Sequence, residues 1–145
     1  MNSFVLVYPM CAMVLFTCCV LGALFRARVK SVSSGQIEAR YFKTYRGEDE
    51  PDSLVQLSRH FTNIFEAPTL FYVACLVAMI INQSTALLIS LAWLYVGLRV
   101  IHAYIHIGSN KLRPRIRVYL GSWIVLATMW GALTVGVFMG GAVAP

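Results

Sequence analysis

Four apolar runs, each long enough to cross a bilayer as a helix, leave this chain few ways to fold. The first, Phe4 to Phe25, holds 22 residues without a charge, and further runs cover about 55–81, 86–107 and 116–139. A helix needs ~20 such residues to span roughly 30 Å of hydrocarbon. In lipid the backbone must satisfy its own hydrogen bonds, which selects helices unless a closed barrel is available. Hydrophobic residues make up 59% of the chain and charged residues 12%, against about 45–50% and 25% in soluble domains. So few charges cannot cover a water-facing bundle. The expectation is one all-α integral membrane domain over residues 1–145, an antiparallel four-helix transmembrane bundle.

No basic residue precedes the first run and no small-residue cleavage site follows it, so it reads as a retained span rather than a leader. Between it and the second run the chain turns polar, over about 26–54, with turn-prone pieces such as RGEDEPD. Asp52 or Ser53, after Pro51, is the expected cap of the second helix, and Pro68 predicts a kink or loosened turn inside it. The stretch 82–85 is a short uncharged turn, and 108–115 a basic loop. Residues Arg26 to Arg59 include seven basic side chains, the 82–85 turn none, and Lys111 to Arg117 four. The positive-inside bias therefore puts the first and third loops in the cytoplasm and both termini outside it. The net charge of +6 is bunched between apolar runs instead of lining a polar face, which argues against a nucleic-acid partner and for membrane lipids. Cys11, Cys18, Cys19 and Cys75 fall within the spans without a C-x-x-C pair, and read as small buried fillers.

The informative residues are the polar ones inside the runs. In RHFTNIFEAP, Arg59, Asn63 and Glu66 stand at i, i+4 and i+7, one stripe of a continuous helix. In LRVIHAYIHIG, Arg99, His102 and His106 stand at i, i+3 and i+7 and form a second stripe. Neither can face lipid cheaply, since a charge near mid-bilayer costs about 2.5 kcal/mol or more. The arginines lie near the cytoplasmic ends of their spans and can snorkel; Glu66 is deeper and shorter, and needs a cation, a proton or a ligand ammonium. Two readings follow. In one, Glu66 pairs with Arg99 or Arg59 and the network holds the bundle together. In the other, the stripes surround a polar cavity open to the cytoplasm, suited to a small zwitterion with excess negative charge, its carboxylates on arginine forks and its amine on Glu66. His102 and His106 lack the adjacent glutamate of a zinc-protease motif, so no metal is expected.

The order R-x-x-x-N-x-x-E-x-P at Arg59 to Pro68, then R-x-x-H at Arg99 to His102 and a basic run, resembles the MAPEG family, the membrane-associated proteins of eicosanoid and glutathione metabolism. The similarity covers essentially the whole chain. It implies a homotrimer of four-helix bundles with glutathione as co-substrate in clefts between neighbouring subunits, and a hydrophobic second substrate arriving through the bilayer. Carried over by position, Arg59, Asn63, Glu66, Arg99 and His102 look like glutathione-holding residues, with His106 where animal members often have a tyrosine. Arg117 is the best match for the arginine beside the thiol, and Arg115 the alternative. Val118 stands where the prostaglandin-producing branch has serine, so the resemblance favours a bacterial-type inner-membrane glutathione transferase or peroxidase. The alternative is a non-catalytic membrane protein binding a lipid or glutathione-like ligand.

Overall fold

The computed structural model describes residues 4–47 and 49–141; Glu48, in the RGEDEPD stretch, lies outside them. Six helices follow in order: α1 (Val7–Ser33), α2 (Tyr41–Thr44), α3 (Asp52–Asn63), α4 (Ala67–Ile80), α5 (Ala86–Ile107) and α6 (Leu112–Gly141). Among the described residues there is no strand. Helices α1, α3 with α4, α5 and α6 make four lengths apolar enough to cross a membrane. The chain is an integral membrane protein built as an all-α bundle of four long apolar helices.

Local sequence explains the boundaries. Helix α1 runs to Ser33, beyond the end of its apolar run, because nothing from Arg26 to Ser33 breaks a helix; the basic side chains project from its last two turns. Pro51 is the residue before α3, and Asp52 opens the helix without a side-chain capping bond. Asp52 and Ser53 are thus inside the helix instead of capping it, and the Asp52 carboxylate sits where it favours the helix dipole. Thr85 caps α5, its hydroxyl accepting from the Leu88 amide at 3.3 Å. Helix α6 begins at Leu112, ahead of the apolar run, since Pro114 falls in a first turn whose amides have no intrahelical acceptor. Arg113, Arg115 and Arg117 are therefore on a helix, and their directions are set by its period.

The second span does more than kink. Residues 64–66 form turns between α3 and α4. Pro68, in the first turn of α4, has no amide to give the Ile64 carbonyl and its ring crowds that carbonyl, so the helix restarts instead of continuing.

Two apolar clusters fill the bundle unequally. The larger one joins α1, α4, α5 and α6 through residues such as Met13, Phe71, Ala92, Leu126 and Met129, and includes the stacked rings of Phe71 and Tyr95, 4.6 Å apart. The smaller one, at the other end of the bundle, joins Val20 and Leu24 of α1 to Leu54 and Leu57 of α3, with Ile37, Tyr41 and Ile64. No buried residue of α5 or α6 belongs to it. At that end the inward side of α5 is Arg99, His102 and His106, all buried.

Candidate functional site

The polar stripe of α5 survives as the spacing requires, because α5 is unbroken from Ala86 to Ile107. Arg99 is fully buried. Its Nη2 donates to the Asn63 carbonyl at 3.1 Å and to Asn63 Oδ1 at 3.4 Å. Asn63 is the last residue of α3, where carbonyls have lost their intrahelical partners. The break imposed by Pro68 thus creates an acceptor, and a buried guanidinium uses it. Among the described residues no carboxylate pairs with Arg99; the ion pair seen there, Arg40 to Glu38 at 2.6 Å, is on the polar segment outside the spans.

The α3 stripe takes a different course. Arg59 is exposed but lines the cleft, Asn63 is half-buried, and Glu66 is exposed. Glu66 lies within the turn at 64–66, so the helical period that relates Arg59 to Asn63 does not by itself set its direction. The inward face of α3 carries instead Gln56, His60 and Asn63, which also stand at i, i+4 and i+7. Gln56 donates from its amide to the His106 carbonyl. His60, which sequence reasoning passed over, is fully buried and packs its ring 5.5 Å from His102 and 5.2 Å from His106. The spacing that would have found it was present, hidden beside the charged Arg59.

Two adjoining cavities open next to this imidazole cluster. One, of about 360 Å³, is lined by Asp52, Gln56, Arg59, His106, Asn110 and Arg115 among others. The second, of about 250 Å³, is lined by Asn63, His102, His106, Arg115, Ile116 and Tyr119. His106 and Arg115 border both. Arg115 is held over the cleft by Asn110, whose Oδ1 accepts from its Nη1 at 2.6 Å. Asn110 itself adopts a left-handed backbone, φ 47°, which asparagine tolerates better than most residues, and its amide closes the end of α5 on the Ile105 carbonyl at 2.8 Å. On α6, Arg115, Tyr119 and Ser122 share the inward face; Arg117, two residues on, points some 200° away, is exposed, and borders neither cavity.

The cleft is cationic, with Arg59 and Arg115 facing a single carboxylate, Asp52. It suits an anionic polar molecule of modest size with one amine. Among the described residues no group of three or more His, Cys, Asp or Glu is placed to hold a metal ion.

Fold and cleft together define a four-span integral membrane protein with a basic, imidazole-walled recess at one end of the bundle. The sequence model of the MAPEG family matches residues 6–135, nine-tenths of the chain, and the chain belongs to that family. No curated protein and no solved structure matches it.

Proposed function

We propose that the protein is a glutathione-dependent membrane transferase or peroxidase, in which Arg115 favours the thiolate of bound glutathione. The observation that carries this reading is the recess itself: two guanidinium groups, the Asn63 amide and the imidazoles of His102 and His106 around adjoining spaces of about 360 and 250 Å³, which together fall within the range of small-ligand sites. The tripeptide presents two carboxylates, one ammonium and one thiol. Arg59 is assigned to a carboxylate and Asp52, at the rim, to the ammonium. Arg99 is a positioning residue, holding Asn63 and the end of α3 while His102 and His106 stand on its own helix. In the homotrimer that the family suggests, Glu66 and Arg117, exposed in the single subunit, are available to a cleft completed by a neighbouring copy. The recess is taken to open to the cytoplasm.

A thiol with a reference pKa of about 8.5 is mostly protonated at neutral pH, and each unit by which a nearby cation lowers it corresponds to about 1.4 kcal/mol. The thiolate attacks an electrophilic carbon, forming a carbon–sulfur bond as a leaving group departs or a strained ring opens. With a hydroperoxide it attacks the terminal oxygen, giving the alcohol and a sulfenic acid that a second thiol reduces, with release of water and a disulfide. Lipid-soluble substrates reach the thiolate between helices from the bilayer, which supplies proximity without an aqueous channel.

The test is titration of purified protein with glutathione while thiolate absorbance is followed. A saturable thiolate signal at neutral pH, reduced in Arg115→Ala, is expected. Saturable binding without thiolate would support the non-catalytic ligand-binding reading, and no binding would remove glutathione altogether.

A further inference from the structure

Away from the imidazole recess, a second cavity lies where α1 leaves the hydrocarbon. It measures about 490 Å³ and is lined by Phe25, Arg28, Val29, Val32, Phe42 and Tyr45 among others. Helix α1 has 27 residues, about 40 Å at ~1.5 Å each, so its last turns extend beyond a core of roughly 30 Å into the headgroup region. The walls combine two kinds of surface. Phe25, Val29 and Tyr45 are largely exposed, as suits contact with acyl chains and the interfacial zone where tyrosine is enriched. Between them Arg28 lies over the rings of Phe42, at 5.4 Å, and Tyr45, at 5.8 Å. Its Nε is buried with no hydrogen-bond partner, and among the described residues no carboxylate pairs with it.

Basic side chains predominate in the segment that forms this groove. Between Arg26 and Arg46 six basic residues accompany one acid, Glu38, and Glu38 is engaged by Arg40. In and just after α2, Phe42 and Tyr45 line the groove, while Lys43 and Arg46 border a smaller cavity of about 310 Å³. Tyr41, also bordering that smaller cavity, has its phenol raised above the ordinary range by burial and by the neighbouring Glu50 carboxylate, so the cations of that cavity are partly offset and Arg28 is the main anion-binding group of the groove. An apolar groove that meets lipid and carries the Arg28 guanidinium, with no carboxylate paired to it among the described residues, is complementary to a molecule with an apolar tail and an anionic head.

We propose that this groove is a binding site for an anionic membrane phospholipid, its acyl chain along Phe25, Val29 and Val32, its phosphate at Arg28, and Lys43 and Arg46 strengthening the attraction. Stacking on two rings orients the guanidinium without consuming its donors, leaving planar N–H groups for a phosphate. The site is distinct from the recess lined by Arg59 and Arg115 and does not depend on glutathione chemistry. A bound lipid would also pin α2 against α1, through the rings that Arg28 bridges.

Native mass spectrometry of the full-length protein in detergent, titrated with phosphatidylglycerol and phosphatidylcholine of identical acyl chains, tests this. The wild type should retain the anionic lipid at about tenfold lower concentration than the zwitterionic one. Arg28→Gln should abolish the preference and Arg28→Lys keep part of it. The double variant Lys43→Gln/Arg46→Gln, altered only at exposed positions, should weaken it even if Arg28→Gln fails to fold. Lys111→Gln, in the other basic loop, should leave it unchanged. Equal retention of the two lipids by the wild type would overturn the proposal. So would wild-type preference in the Arg28 and Lys43/Arg46 variants, or loss of oligomer mass on Arg28→Gln with lipid retention unchanged, which would assign the groove to a second copy of the chain.

Discussion

Arg99 offers the sharpest test of how the polar half of the bundle is held. Its guanidinium makes two bonds, both to Asn63, and the shorter one, 3.1 Å, ends on the backbone carbonyl. Interhelical hydrogen bonds in membrane proteins average about 0.6 kcal/mol and reach ~1.7, so the pair together contributes about 1–2 kcal/mol. Against this stands the cost of burying a cation whose Nε and Nη1 have no partner, which an apolar replacement removes. Arg99→Met, similar in length, should therefore lower stability by only about 1 kcal/mol, the residue of an orphaned Asn63 carbonyl less the relieved desolvation. Arg99→Ala adds a cavity and should cost about 2–4 kcal/mol more. Because the main acceptor is backbone, Asn63→Ala should cost under about 1 kcal/mol, and the coupling in an Arg99→Met/Asn63→Ala cycle should be small. Unfolding in detergent, followed by the fluorescence of Trp93, Trp123 and Trp130, measures all four variants against the wild type. Equal losses for Asn63→Ala and Arg99→Met, with coupling above about 1.5 kcal/mol, would refute the reasoning and place the contact in the side chains.

Three further outcomes follow from individual residues. Arg115→Ala should reduce turnover about tenfold for each unit of thiolate stabilisation lost, with Arg117→Ala affected less in thiolate absorbance; the reverse order would return the thiol-facing role to Arg117. His60→Leu, which removes no hydrogen bond from two buried and unpartnered ring nitrogens, should change unfolding stability by less than about 1 kcal/mol, whereas His60→Ala should cost about 2–4 kcal/mol by leaving a void. At the far end of the bundle a Cβ on Gly136 would meet only the mobile end of the Gln83 side chain, which borders an open cavity; Gly136→Ala should therefore change stability by less than about 1 kcal/mol, and a loss above about 2 kcal/mol in the same unfolding assay would show that Gln83 is held in place.

What the sequence made legible depended on whether a helix stayed continuous. Arg99, His102 and His106 were placed correctly together on one buried face because α5 runs unbroken through all three. The Arg59, Asn63, Glu66 stripe assumed the same of the second span, where Pro68 was legible as a disturbance but its extent was not. Three residues of turn at 64–66 free Glu66 from the helical period that the stripe assumed. Charge also drew attention from His60, although Gln56, His60 and Asn63 have the spacing of a single face. Which of Arg115 and Arg117 borders the cavities depends on helical phase, which is set by α6 beginning at Leu112 and by the Asn110 side chain holding Arg115.

The contact between Arg99 and the end of α3 also weighs the two meanings of a buried polar network. A network kept solely for cohesion would be expected to set a carboxylate against Arg99, since breaking or omitting one partner of a buried pair is costly. Glu66, the carboxylate nearest in sequence to Asn63, is exposed instead, and Arg99 settles on a neutral carbonyl that the Pro68 break supplies. Among the described residues no carboxylate lies within ion-pair distance of Arg99, and Asp52 is the carboxylate bordering the cleft beside Arg59 and Arg115. The buried guanidinium, together with Arg59 and Arg115 at the cleft, therefore sets a positive potential in the recess, strongest where the dielectric is low. That potential favours an anionic guest, and it originates in a proline that no ligand need touch.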